Sequence, residues 1–171
     1  MLKHLWILGL AVAEASAQAP SERATARLTR EIRHEVLILP YYDIFDWVTF
    51  RLDGYKVVLS GYVSRPTLKA DVERVVKKVE GVESVTNRIE VLPLSPNDDR
   101  IRQAVFNAIY RFPTLQRYSL RARQPIHIIV KNGNVILEGV VANQSDHSIV
   151  NLQARGVPGV FDVKNNLAVE K

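Results

Sequence analysis

The sequence contains no cysteine. Disulfides, thiolate zinc sites, iron–sulfur clusters, catalytic thiols and a lipid-carrying N-terminal cysteine are thereby excluded. Histidine is scarce too, and none of the four lies at the His-x-x-x-His spacing of a helical metal site. Ser145-Asp146-His147 carries the letters of a triad, but three consecutive side chains do not converge into the required relay. No glycine-rich phosphate loop or nucleophile elbow is present, so neither a cofactor nor catalysis is expected. The longest apolar run, residues 5–13, falls far short of the roughly 20 residues that span a bilayer. Carboxylates are missing altogether from residues 100–137.

What is present begins with an export pattern. Lys3, the apolar run and the small residues up to Ala17 read as a signal peptide at residues 1–17, followed by cleavage after Ala15-Ser16-Ala17. An exported, periplasmic protein without lipid is the expectation. Such a protein does not meet nucleic acid, and its net charge of +5 points to another anionic partner.

The rest of the chain is one unit written twice. A shift of 78 residues aligns 57–91 with 135–169 without a gap, and Val57, Leu59, Gly61, Val63, Val72, Val79, Gly81, Val82, Val85, Asn87 and Val91 recur unchanged. Upstream, Ile32 and Val36 match Ile101 and Val105 at a shift of 69, so the second copy holds nine extra residues between its first helix and first strand. Leu28, Ile32, Val36 and Leu39 have helical spacing up to Pro40. The second copy repeats this with Ile101, Val105, Ile109 and Phe112, capped by Asn97 or Asp98. Hairpins follow around Asp53-Gly54 and Asn132-Gly133, the first with the looser turn. A second helix then carries Leu68, Val72, Val76 and Val79 to a stop at Gly81, and a last strand alternates through Val85, Asn87, Ile89 and Val91. The expected fold is α+β: two tandem αββαβ domains, 21–93 and 98–171, joined by a linker at 94–97. Each is a small three-stranded mixed sheet packed on two helices. Of the shared glycines Gly61, Gly81, Gly139 and Gly159, the two within strands mark tight packing against a helix. Asn87 and Asn165 read as structural hydrogen-bonding residues.

These residues resemble the BON domain. The run from Asp53-Gly54 to Gly61, then Gly81-Val82 and Val85-x-Asn87-x-Ile89-x-Val91, occurs again from Asn132-Gly133 to Val169. The resemblance implies an exported protein of the bacterial envelope, associated with envelope stress and with binding to anionic phospholipid. The chain departs from the family by its missing cysteine, by the insertion, and by Asp146, Gln153 and Ala154 where the first copy has Leu68, Val75 and Val76.

Charge singles out one stretch. Arg100, Arg102, Arg111, Arg117, Arg121 and Arg123 all fall within the acid-free span. Helical projection puts Phe106 and Tyr110 on the polar side of their helix, partly exposed near Arg102 and Arg111. Arg102, Phe106, Tyr110, Arg111, Arg117, Arg121 and Arg123 are therefore the expected lipid-binding set, aromatics entering the interface while cations meet headgroups. The competing reading packs Phe106 and Tyr110 against the insertion or the first domain. Tyr41, Tyr42, Phe45 and Trp47 are expected at a domain interface. A protein-interaction or chaperone-like module for envelope proteins is the alternative function, and a small-ligand or ion-binding domain the third.

Overall fold

The computed structural model describes residues 21–170; the signal-peptide expectation lies outside them. In the first repeat α1 (Glu22–Leu37) starts where Ser21 accepts a hydrogen bond from the Ala24 amide, and it buries Leu28, Ile32 and Val36. Strands β1 (Trp47–Asp53) and β2 (Lys56–Val63) form an antiparallel hairpin. Helix α2 (Pro66–Val76) crosses over to β3 (Ser84–Asn87) and β4 (Glu90–Val91), both parallel to β2. The second repeat follows the same order with α3 (Pro96–Tyr110), β5 (Ile126–Lys131), β6 (Asn134–Val141), α4 (Gln144–Arg155), β7 (Asp162–Asn165) and β8 (Ala168–Val169). A 3-10 helix, Pro113–Tyr118, occupies the insertion.

Each mixed sheet thus has three strand positions, and the third is broken in two. The break has a cause in both copies. The Asn87 side chain accepts from the Ile89 amide at 3.1 Å and donates to the Lys69 carbonyl at 3.0 Å, pinning the turn to α2. Asn165 does the same with the Leu167 amide and the His147 carbonyl. These amides are the structural hydrogen-bonding residues that the pattern implied.

Four local expectations change. Both hairpins have two-residue loops, pairing Asp53 with Lys56 and Lys131 with Asn134. The difference is where glycine sits: Gly54 takes positive φ at the first loop position, whereas Asn132 and Gly133 both take it in the second hairpin. Gly61 and Gly139, at φ +117, face the partner strand and not a helix, since a Cβ there would collide with the carbonyl of Trp47 or of Pro125. Helix α2 stops at Val76, ahead of Gly81, and Gly81 instead lies against Arg27 and Leu28 of α1. Helix α3 begins at Pro96, within the segment expected as linker, with Ser95 as its cap in place of Asn97 or Asp98. Asp98 is buried and accepts from the amides of Asn132 and Gly133, both at 2.8 Å, tying the helix start to the second hairpin's turn.

Leu28, Ile32, Val57, Leu59, Leu68 and Val72 form one core; Ile101, Val105, Ile126, Ile128, Leu137 and Val150 form the other. Between them lies a third contact. His127, Ile129 and Lys131 share the face of the second sheet that looks away from its helices. The His127 ring packs on Trp47 and Tyr42 with centroids 5.0 and 6.0 Å apart, and Lys131 pairs with Glu90. Ile129, held between them, is fully buried yet belongs to neither core. The first repeat therefore covers the open face of the second sheet.

Candidate functional site

The arginine-rich stretch divides into buried and exposed halves. Arg102 is buried: it pairs with Asp99, and its guanidinium donates to the Val130 carbonyl at 2.9 Å. Tyr110 is buried as well, its hydroxyl donating to the Ile126 carbonyl at 2.7 Å and accepting from the Ile126 amide at 3.2 Å. Burial pushes the Tyr110 phenol well above the usual tyrosine range. Phe106 is half-buried and touches Tyr110 at 5.0 Å and Phe45 of the first repeat at 6.4 Å, edge to face. The expectation of exposure is thus overturned for Arg102 and Tyr110, while Phe106 is partly exposed as expected but packs on Phe45 of the first repeat. The reason is an unsatisfied strand: β5 is a sheet edge, and its outward backbone groups need partners. Tyr110 serves Ile126, Arg102 serves Val130, and the Ile44 carbonyl accepts from the Ile128 amide at 2.7 Å. A helical projection alone does not register an edge strand lying beside the helix.

The other half is outward. Arg111 and Arg123 are exposed, and neither forms an ion pair among the described residues. Arg121 lies over the Tyr118 ring at 5.6 Å and stands 3.7 Å from Glu170. Arg117 stacks on Tyr118 at 5.2 Å and pairs with Asp146; its bonds to Tyr118 and Asp146 hold its charge more firmly than usual. Leu115 and Tyr118 plug the core and leave residues 119–123 as a projecting turn. At its apex Leu120 is 84% exposed.

Asp146, one of the residues that break the repeat, is explained by the same insertion. It stands at the position of buried Leu68 and is itself buried, but the Tyr118 hydroxyl and Arg117 reach its carboxylate. Tyr118 also accepts from the Ala142 amide at 2.8 Å. A sequence reading finds the odd carboxylate but not its partners 28 and 29 residues away.

Of the aromatics leading into β1, Tyr42, Phe45 and the first strand residue Trp47 lie at the contact between repeats, as expected, while Tyr41 is 70% exposed under Arg65. At that contact His127 Nδ1 donates to the Asp46 carbonyl at 2.6 Å. Burial holds the His127 imidazole below its usual range and pushes Asp46 up, although the Ser64 amide and hydroxyl bond the carboxylate at 2.6 and 2.9 Å. Burial also raises Tyr42 to about 12. These shifts belong to a buried interface and not to an acid–base pair facing a cleft.

Two sheets of this topology, each with an Asn-pinned break in its third strand, define a tandem α+β module. The BON domain family matches residues 51–93 and 97–171, and the chain belongs to that family. Members are typically envelope-associated and generally non-enzymatic, and no helix among the described residues is long and apolar enough to cross a membrane. No curated protein matches the chain. Two solved structures of CdsD, a structural protein of the type III secretion system of Chlamydia trachomatis, are similar at 14% identity over 84% of this chain. They are covered over 92% and 98% of their own lengths, with TM-scores of 0.33 and 0.34.

Proposed function

We propose that the protein is a non-enzymatic envelope module that binds anionic phospholipid surfaces through the projecting turn at residues 119–123. The observation that carries this reading is Leu120, an exposed aliphatic side chain at the apex of an acid-free turn, flanked by Arg117, Arg121 and Arg123. Full burial of a leucine is worth about 1.5–3 kcal/mol. Each arginine near an anionic surface adds about 1 kcal/mol, and among the described residues Arg111 and Arg123 form no ion pair that would have to be given up. That sum supports reversible attachment. Arg102 and Tyr110 are no part of it, because releasing them would uncap β5, and Phe106 is engaged with Phe45 and Tyr110.

Co-sedimentation with phosphatidylglycerol and phosphatidylcholine vesicles tests the reading. The chain is expected to sediment with the anionic vesicles only, to be released by salt, and to lose about tenfold in affinity or more when Leu120→Glu, Arg121→Glu and Arg123→Glu are combined, a change of about 1.4 kcal/mol or more. Binding indifferent to lipid charge, or unaltered in the triple variant, would defeat it.

A further inference from the structure

Among the described residues, the edge of β1 is the uncovered counterpart of the edge of β5. At the shift of 69 residues, Arg33, Leu37 and Tyr41 stand where Arg102, Phe106 and Tyr110 stand. Val48 faces Gly61 as Ile126 faces Gly139, so residues 48, 50 and 52 turn their backbone groups outward as 126, 128 and 130 do. On β5 those groups are met by Tyr110, Ile44 and Arg102. On β1 the Val48 amide reaches the Tyr42 hydroxyl at 3.4 Å, but the outward groups of Phe50 and Leu52 have no protein partner among the described residues. The fillers are missing too: leucine replaces phenylalanine at 37, and Tyr41, at φ 67, has turned away to stack under Arg65 at 4.7 Å.

The result is a groove of ≈620 Å³ along the edge, lined by Val36, Leu37, Trp47 and Phe50 and continuing to His127 at the contact between repeats. Arg33 and Arg51 border it, and no carboxylate lines it. We infer that this groove binds an extended peptide segment of a partner protein, rich in apolar and acidic residues, which adds to β1 as a further strand. The chain itself displays the chemistry of such an occupant. The segment seated on β5 is Asp43-Ile44-Phe45-Asp46, which gives a backbone carbonyl to the edge and Phe45 to the groove beside it. Main-chain pairing supplies affinity in this mode of recognition, and side-chain pockets and charge supply selection. No residue of the turn at 119–123 lines the groove, and the inference does not depend on lipid binding there.

The test is amide hydrogen exchange on the whole chain with a synthetic peptide of residues 41–48 as probe. Saturating peptide is expected to slow exchange at Phe50 and Leu52 by about tenfold or more, as an added strand does, and to leave Ile128 unchanged. Phe50→Pro, which deletes one outward amide, should abolish the effect, and Arg33→Glu with Arg51→Glu should weaken binding about tenfold. If Phe50→Pro does not fold, the paired exposed arginines still decide the matter. Several outcomes overturn the inference: no binding, binding untouched by the charge reversals, or an equal response to a peptide with lysine at both aspartates. So do exchange of the peptide onto β5 alone, protection of Phe50 by anionic vesicles and not by peptide, and protection by self-association without peptide.

Discussion

Asp146 shows how one side chain and one insertion depend on each other. A carboxylate at a core position is costly unless its oxygens are met, and Tyr118 and Arg117 meet them. Replacing Asp146 with alanine leaves the Tyr118 hydroxyl proton without an acceptor, a loss of about 1–3 kcal/mol. Asp146→Leu, which restores the residue of the first repeat, should cost much less when Tyr118→Phe is made with it than when it is made alone. Urea denaturation of the four proteins of that cycle should return a coupling of about 1–3 kcal/mol, and additivity would mean that the two groups do not interact. The carboxylate stood out in the repeat alignment at once. Its partners did not, because an insertion has no counterpart from which its packing can be read.

Among the elements, the hairpins are where the backbone leaves least room. Gly61 and Gly139 combine positive φ with a partner-strand carbonyl in the place of a Cβ. Gly139→Ala is expected to cost about 3 kcal/mol or more, since strain and steric overlap combine there. Gly156, at φ −74 with only ordinary contacts around a Cβ, is the opposite case. Gly156→Ala should be neutral or stabilise by about 0.4–1 kcal/mol through the unfolded chain, and thermal melts of the two variants give the comparison. Element type and order were legible because apolar periodicity is a local signal, and the repeat stated it twice. Helix ends were less so. Ser95 caps the helix, while the Asn97 side chain accepts from Arg100 and Asp98 is engaged with the turn at Asn132 and Gly133. The exposure expected of Tyr110 failed for a related reason: the polar face of a helix on a wheel is not a solvent face when a strand edge lies beside it.

At the scale of the whole molecule, the contact between repeats carries a pH dependence whose sign is set by His127. Its depressed pKa means that the folded chain holds the neutral ring, so the contribution is fully present above the unfolded value of about 6.5. It is lost as pH falls from there through the folded value. Asp46 acts in the opposite sense. Its raised pKa makes the ionised form a burden above the unfolded carboxylate range of about 4, and relief comes only as pH approaches that range. The groups facing His127 are Tyr42, Asp43, Asp46, Trp47 and Arg123, and the carboxylate of Asp43 tempers the depression without cancelling it. Urea midpoints should therefore fall between about pH 7 and pH 5.5, and His127→Gln should flatten that slope. An unchanged slope in the variant would assign the effect to other groups.

The way the first repeat meets the second also sets which surfaces each repeat can offer to another. The contact is heterologous: the first repeat offers residues 43–46 and the second offers the edge of β5, so identical units joined in this manner would propagate without closing. At the shift of 78 residues, the second repeat presents Ala122 and Arg123 where the first presents Ile44 and Phe45. A small residue and a cation cannot seal an apolar edge. The second repeat thus accepts a neighbour at the edge of β5 and, among the described residues, presents no equivalent of the segment 43–46 for a further edge.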